Sequence, residues 1–173
     1  CSGWWNLYRW RPGDGPIELI RGLQAVRRSA LKARTQAANQ LHALVVTAPD
    51  ALRGDLRGSS LPQLVAKAAA FRASLPLTTP TAATKLALKS LACRYQQLGT
   101  EVEALDLQLG HLVAQAAPDL LAVKGVSTIT AACPLGTAGD NPERTRSEAA
   151  FAHMCGVEPV PASPGKTTRH RLH

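Results

Sequence analysis

The chain has 173 residues, a formal net charge of +8 and a sequence pI near 9.9. Apolar residues make up 45% and aromatic residues 4%, so a core must be built from Leu, Val and Ala. This length excludes more than one domain plus a helical arm. No apolar run approaches the roughly 18 residues of a membrane span, and no signal peptide is recognisable, which argues against a membrane or secreted protein.

The positive charge favours a polyanion as partner, and nucleic acid is the commonest one, although a basic surface can also serve solubility alone. The four cysteines are Cys1, Cys93, Cys133 and Cys155. Neither they nor the five histidines have metal-ligand spacing, so no metal site is predicted. Free, mostly buried thiols fit a reducing compartment, and we therefore expect a cytoplasmic protein.

Residues 1–15 are predicted to be irregular, because a Trp-rich start is followed by the breaker cluster RPGDGP. The composition break suggests that the chain begins inside a longer reading frame or a shifted one. A helix is expected from Pro16 or Ile17 to Thr47, since proline suits the first turn and Pro49 follows. Its predicted buried stripe is Leu19, Leu23, Val26, Ala30, Ala33, Ala37, Leu41 and Leu44.

No acid occurs between Glu18 and Asp50, whereas this helix carries several cations. Its basic side either follows a phosphate backbone or is simply solvated. The candidate DNA-binding residues here are Arg27, Arg28, Lys32 and Arg34.

A loop is expected at 54–60 and a short helix at 61–73. The clearest periodicity follows, at Leu88, Leu91, Tyr95, Leu98, Val102, Leu105, Leu109 and Leu112. This alternation of three and four steps predicts a coiled coil, with the first helix as a possible antiparallel partner. A helix packed in an ordinary bundle would show the same pattern.

The segment after Pro118 contains a Gly-Val loop of Lys124, Gly125, Val126, Ser127 and Thr128 between apolar flanks. Such a loop, as in helix-hairpin-helix modules, presents backbone N–H groups and a helix N-terminus to a phosphate. Lys124, Gly125, Ser127 and Thr128 are therefore candidate DNA-binding residues, although an ordinary interhelical turn would also use Gly125. A helix is expected at 142–155, with Gly156 as its cap. No strand signal is strong.

A hydroxyl stands beside a basic cluster near the end of the chain. Ser163 precedes Gly165, Lys166, Thr167, Arg169 and Arg171. A serine that attacks a phosphodiester needs cations to stabilise the developing charge, and this segment supplies both. A flexible basic tail would have the same composition. The spacing is not that of a P-loop.

The order of these segments, the Gly-Val loop, then FAHMCGVEPVPAS, then GKTTRHRL, resembles the C-terminal domain of insertion-sequence transposases of the IS-one-ten family. PIELIRGLQAVRRSALKARTQAANQLHALVVTAPDALR is similar to the helical connector of that family, and the heptad segment to its coiled coil. The resemblance implies a DEDD-type recombinase with a C-terminal transposase 20 domain, acting on insertion-element ends and target DNA, with Ser163 as nucleophile. It also implies a structured guide RNA.

The sequence departs from the family pattern in several ways. The acidic metal domain is not present, so Mg²⁺ is expected only with a partner that supplies it. Pro164 stands where the family usually has the serine, and Ser163 is one residue upstream. Pro134 and Gly136 are expected to interrupt the second helix of the hairpin. The chain ends before a further basic Gly/Arg-rich helix of the family.

We therefore predict a mainly α chain in three parts: an irregular start (1–15), a helical connector and coiled-coil arm (16–117), and an incomplete, small helical C-terminal transposase domain with a helix-hairpin-helix-like turn (118–173). The predicted function is the DNA-binding and recombination part of a transposase that is truncated and inactive alone. The alternative is a non-catalytic nucleic-acid-binding module or a coiled-coil assembly module. Expected partners are DNA, a guide RNA and a second copy of the chain.

Overall fold

The computed structural model describes residues 15–72, 76–139, 147–154, 156–157, 159–161 and 170–172. These residues form α1 (Pro16–Thr47), α2 (Asp50–Leu56), α3 (Leu61–Ala69), α4 (Pro80–Ala116), α5 (Pro118–Ala122), α6 (Thr128–Ala138), α7 (Glu148–Met154), β1 (Pro159–Pro161) and β2 (His170–Leu172). The described chain is mainly helical, as predicted. It divides into a middle unit, Ala25–Leu105, and a terminal unit, Cys1–Gln24 with Asp106–His173.

The first helix has the bounds that the sequence predicts, from Pro16 to Thr47. Its buried side is shifted from the predicted stripe at the N-terminal end. Ile20 is fully buried, whereas Leu19 and Val26 are 59% and 48% exposed. Leu23 fits either register, so the sequence pattern is ambiguous there, and the packing of Ile20 into the core decides between them.

The middle unit has its own core, to which α2 and α3 both contribute buried residues. The buried members of this core are Leu41, Ala48, Leu52, Leu56, Leu64, Val65, Ala68, Leu88 and Ala92. The predicted loop at 54–60 was wrong over its first residues, because Leu52 and Leu56 are both buried one helical turn apart and α2 continues to Leu56. The third helix ends at Ala69, earlier than predicted.

The predicted heptad seam is the buried side of α4. Leu88, Val102 and Leu109 are buried, and the other seam residues are half-buried. In the middle unit, Leu41 of α1 shares a core with Leu88, and Arg34 contacts Tyr95. Later residues of α1 thus meet earlier residues of α4, which is the pairing of antiparallel helices. The choice between a coiled coil and a bundle remains a prediction.

The terminal unit is built around a second core. Ile20 comes from α1, Leu109 and Val113 from α4, and Ala131 and Ala132 from α6. The predicted interruption of α6 was wrong, because the helix runs from Thr128 to Ala138 with Pro134 inside it. A proline costs about 3 kcal/mol within a helix. Burial of the α6 side that carries Ala131 and Ala132 offsets part of that cost.

The seventh helix lies within the predicted helix 142–155, of which residues 142–146 and 155 lie outside the described residues. Gly156 has φ +71° and caps it as predicted. The Gly156 N–H donates to the His153 carbonyl and the Val157 N–H to the Ala152 carbonyl, both at 3.0 Å. These two bonds define a Schellman motif.

A two-stranded antiparallel sheet joins β1 to β2, with Val160 opposite Arg171. No strong strand signal was found in the sequence, and the reason is the composition of β1. Pro159 and Pro161 have no N–H, so Val160 alone can donate from this strand, and proline normally argues against a strand.

Cys93 and Cys133 are free thiols. Cys93 is half-buried, but Cys133 is exposed, so the expectation of mostly buried thiols was wrong for Cys133. It lies on α6 next to the buried Ala131 and Ala132, on a different side of the helix.

Candidate nucleic-acid interface

The Gly-Val loop is a tight turn between α5 and α6. The Val126 N–H donates to the Val123 carbonyl at 3.1 Å, which closes a four-residue turn. Gly125, the third residue of the turn, has φ +89°, as type II turns require. Lys124 and Gly125 are both exposed. The turn therefore brings a flexible ammonium group and an uncovered stretch of backbone to the surface.

Ser127 caps the helix that follows this turn. Its Oγ accepts a hydrogen bond from the Thr130 N–H at 3.2 Å and lies 2.9 Å from Thr130 Oγ1. The first N–H groups of a helix have no intrahelical acceptor, and the Ser127 cap satisfies one of them. The N–H groups of Thr128 and Ile129 remain at the positive end of the α6 dipole, where an anion is stabilised.

The apolar neighbours of the turn hold it in place. Leu121, Val126 and Ile129 are partly buried against the core of the terminal unit. By contrast, Val123 is exposed. Because apolar side chains on both sides of Gly125 are packed, the backbone at the turn is held without help from a ligand. Such preorganisation lowers the entropic cost of binding.

The opposite end of α6 is held by α1, which sequence reasoning did not predict. Arg21 Nε and Nη2 both donate to the Gly136 carbonyl at 3.1 Å, and Arg21 Nη1 lies 2.6 Å from Glu18 Oε2. Arginine near a helix C-terminus satisfies carbonyls that have no intrahelical donor and complements the dipole. Gln24 is buried beside this contact and donates to Cys133 Sγ at 3.8 Å.

The sequence contained one signal for this contact. Gly136 stands within α6, where glycine is otherwise unfavourable, and Gly139 follows the helix with φ +72°, a conformation that favours glycine. A Cβ at Gly136 would lie 2.8 Å from Gln24 Oε1, and one at Gly139 would lie 3.2 Å from Arg21 Nη2. The two glycines therefore allow α1 to approach the end of α6.

The predicted catalytic segment lies between β1 and β2 in the chain. Ser163, Lys166, Thr167 and Arg169 fall outside the described residues, and only the backbone of Arg171 is described. The β1–β2 pairing nevertheless brings the residues on both sides of this segment together. Residues 170–172 thus pair with residues 159–161.

The predicted cations of α1 differ in their surroundings, and all four lie in the middle unit. Lys32 is exposed. Arg27 and Arg28 each have an interaction partner. Arg34 packs on α4: its Nη2 donates to Tyr95 Oη at 3.1 Å, and its guanidinium lies 4.6 Å from the centre of that ring. Arg34 therefore has a packing role that the sequence pattern did not indicate.

Within the described ranges, no group of three or more His, Cys, Asp or Glu residues could hold a metal ion. Glu101 and Glu103 are exposed on α4, as expected of a solvated side. No described side chain is therefore assigned to metal coordination. None of the helices in the described part combines the length and apolar character that a membrane crossing requires.

Comparison with known families identifies the region that contains the turn. Residues 117–173, which carry α5, the turn, α6, α7 and the β1–β2 pair, match a family of transposases. The matching family is the transposase IS116/IS110/IS902 family, to which this region is similar. The match confirms the resemblance to the IS-one-ten family. No curated protein and no solved structure gave a significant match.

The match covers residues 117–173 alone, so it supports a transposase role through this region. The positive net charge of +8 agrees with a polyanionic partner.

Proposed function

We propose that the chain is the DNA-binding and recombination part of a transposase that mobilises an insertion element by DNA transposition. The observation that supports this most directly is the α5–α6 turn inside the matched region, with its exposed Lys124 and its glycine at φ +89°. The protein would act in the cytoplasm, where bacterial DNA is accessible.

In this proposal the turn binds one phosphate of the DNA backbone, as in helix-hairpin-helix modules. The N–H groups of Thr128 and Ile129 and the α6 dipole stabilise the phosphate, and Lys124 adds a point charge. Gly125 lets the backbone approach closely because it has no side chain. Every nucleotide carries the same phosphate, so this contact fixes the position of the protein on DNA without reading its sequence.

The catalytic part of the proposal concerns the segment between β1 and β2. Ser163 would attack the phosphodiester, and Lys166, Thr167, Arg169 and Arg171 would stabilise the charge that develops on phosphate. These residues would act together with the acidic, Mg²⁺-binding domain that the resemblance implies. The same assembly would include a guide RNA and a second copy of the chain.

Substitution Ser127→Asp separates phosphate binding from folding. Aspartate is as good an N-cap as serine and suits the α6 dipole, so the free energy of unfolding should not fall. Its charge would lie beside the bound phosphate, and roughly 1–1.5 kcal/mol of repulsion corresponds to about tenfold weaker binding. We expect this loss in fluorescence anisotropy with a 30-base-pair DNA duplex.

The matched control is Ser60→Asp, which makes the same charge change at the exposed N-cap of α3. Its DNA affinity should stay within about twofold of the wild type, because Ser60 lies in the middle unit and is not part of the proposed contact. Equal weakening by both variants would show a net-charge effect and would remove the α5–α6 turn from the proposal. Unchanged binding by Ser127→Asp would do the same.

The second candidate is a nucleic-acid-binding or assembly module without catalysis, and the exposed cation Lys32 favours nucleic-acid binding. Ser163→Ala distinguishes the two. With a partner that supplies the acidic domain and Mg²⁺, transposition should be abolished while DNA affinity is unchanged. Undiminished strand exchange by Ser163→Ala would exclude this serine as the nucleophile.

A further inference from the structure

One side of α1 in the middle unit forms a shallow, open groove along the helix. We call it the α1 polar face, and it consists of Lys32, Thr35, Gln36, Asn39, Gln40 and Ala43. All six residues are exposed. Their steps of three and four place them on one side of a helix, over a length of about 16 Å at 1.5 Å per residue.

The chemistry of this face excludes several kinds of partner. It has one ammonium group, three side-chain amides, one hydroxyl and the two methyl groups of Thr35 and Ala43, so it offers no apolar seam to a helix or a membrane. An acidic side chain is also missing from this sequence between Glu18 and Asp50. A complementary partner must therefore be negatively charged and rich in hydrogen-bonding groups.

The donors on this face can be assigned from the hydrogen bonds. Thr35 Oγ1 donates to the Leu31 carbonyl at 3.0 Å, so its oxygen remains only as an acceptor. Lys32, Gln36, Asn39 and Gln40 remain as donors. Lysine and side-chain amides are typical ligands of DNA phosphates and base edges.

The helix behind this face is held rigidly. Ala30, Ala37 and Leu41 are buried on another side of α1, and the Arg34 guanidinium packs on the Tyr95 ring. Because Arg34 is held in that contact, the exposed side carries neutral amides around a single lysine. A rigid helix keeps these donors in fixed register and so reduces the entropy lost on binding.

We propose that the α1 polar face is a second DNA-contact surface, in which α1 lies in the major groove of a duplex. The major groove of B-form DNA is about 12 Å wide and admits an α-helix, whereas that of A-form RNA is too narrow for side chains. The choice of DNA as partner rests on the proposed function. The location of the contact rests on the exposure and the chemistry of the α1 polar face.

The test measures binding of the full chain to a 30-base-pair DNA duplex over a range of salt concentrations. Lys32→Ala should weaken binding about three- to tenfold and reduce the salt slope by about one, because one phosphate contact is lost. Gln36→Ala with Asn39→Ala should weaken binding without changing the slope, since no charge is removed. Arg94→Ala, an exposed cation on α4, is the matched control and should bind like the wild type. Thermal unfolding checks that every variant is folded.

Several outcomes would overturn this inference, and they differ from failure of the proposed function. If the α1 variants bind normally while Ser127→Asp binds weakly, α1 is not a contact surface and the proposed function stands. A wild-type chain that does not bind DNA overturns both. Tighter binding to an RNA duplex of the same sequence would mean that the partner of the α1 polar face is RNA and not DNA. If the wild type sediments as a dimer and the double variant as a monomer, with unchanged DNA affinity, the α1 polar face is a contact between two copies of the chain.

Discussion

Gly136 shows how one residue without a side chain determines a helix–helix contact. Its carbonyl accepts both hydrogen bonds from Arg21, and the absence of a Cβ leaves room for the buried Gln24. Glycine in a helix costs up to about 1 kcal/mol against alanine. The room that Gly136 leaves for the Gln24 side chain is the structural reason for a glycine at this position. The helical pattern alone made Gly136 look like a helix breaker.

A double-mutant cycle of Gly136→Ala and Gln24→Ala should therefore show coupling of at least about 0.5 kcal/mol in the free energy of unfolding. Alone, Gly136→Ala gains helix propensity but displaces the Gln24 side chain. In the Gln24→Ala background nothing is displaced, so the substitution should stabilise the protein by about 0.5–1 kcal/mol. Urea unfolding followed by circular dichroism measures all four proteins.

Gly110→Ala provides the control for this cycle. Gly110 lies within α4 and a Cβ there would meet no atom within 4 Å. Its effect should add to that of Gln24→Ala without coupling. Additive effects of Gly136→Ala and Gln24→Ala would mean that the 2.8 Å distance between a Cβ at position 136 and Gln24 Oε1 does not constrain the two helices.

At the scale of elements, long periodic helices were predictable and short ones were not. Pro16 and Pro49 bracket α1, and the heptad seam marks α4, because many residues contribute to each pattern. The second helix has only seven residues, and its Gly54 suggested a loop. The β1 strand contains two prolines and was missed, since its pairing depends on β2, nine residues further along the chain.

At the scale of the whole molecule, α1 and α4 each contribute to two compact units. The core of the terminal unit combines the start of α1 with the end of α4 and α6, and that of the middle unit contains α2 and α3. The family match begins at residue 117, next to the predicted domain boundary at 118. The compact terminal unit also includes α1 and α4 residues that sequence order assigned to the arm.

Leu109→Ala and Leu88→Ala should each lower the free energy of unfolding by about 2–5 kcal/mol, because both side chains are fully buried. Native-state hydrogen exchange should separate the two units. Leu109→Ala should accelerate exchange most in α5 and α6, and Leu88→Ala most in α2 and α3. Leu107→Ala is the control, since Leu107 is 61% exposed and should change stability by less than about 0.5 kcal/mol.

Uniform acceleration of exchange across both units by either variant would mean that the two cores unfold as one cooperative block. In that case the long helices transmit the loss of one core to the other.

By itself, the sequence determined the helical class, the bounds of α1, the buried side of α4 and the resemblance of the last third of the chain to a transposase family. These depend on local periodicity, on capping residues and on the order of short motifs. Tertiary structure decided which side of α1 is buried near Ile20, why α6 continues through Pro134, and that Arg34 packs on Tyr95. Each of these depends on residues more than 60 positions apart, whose contacts no local pattern specifies.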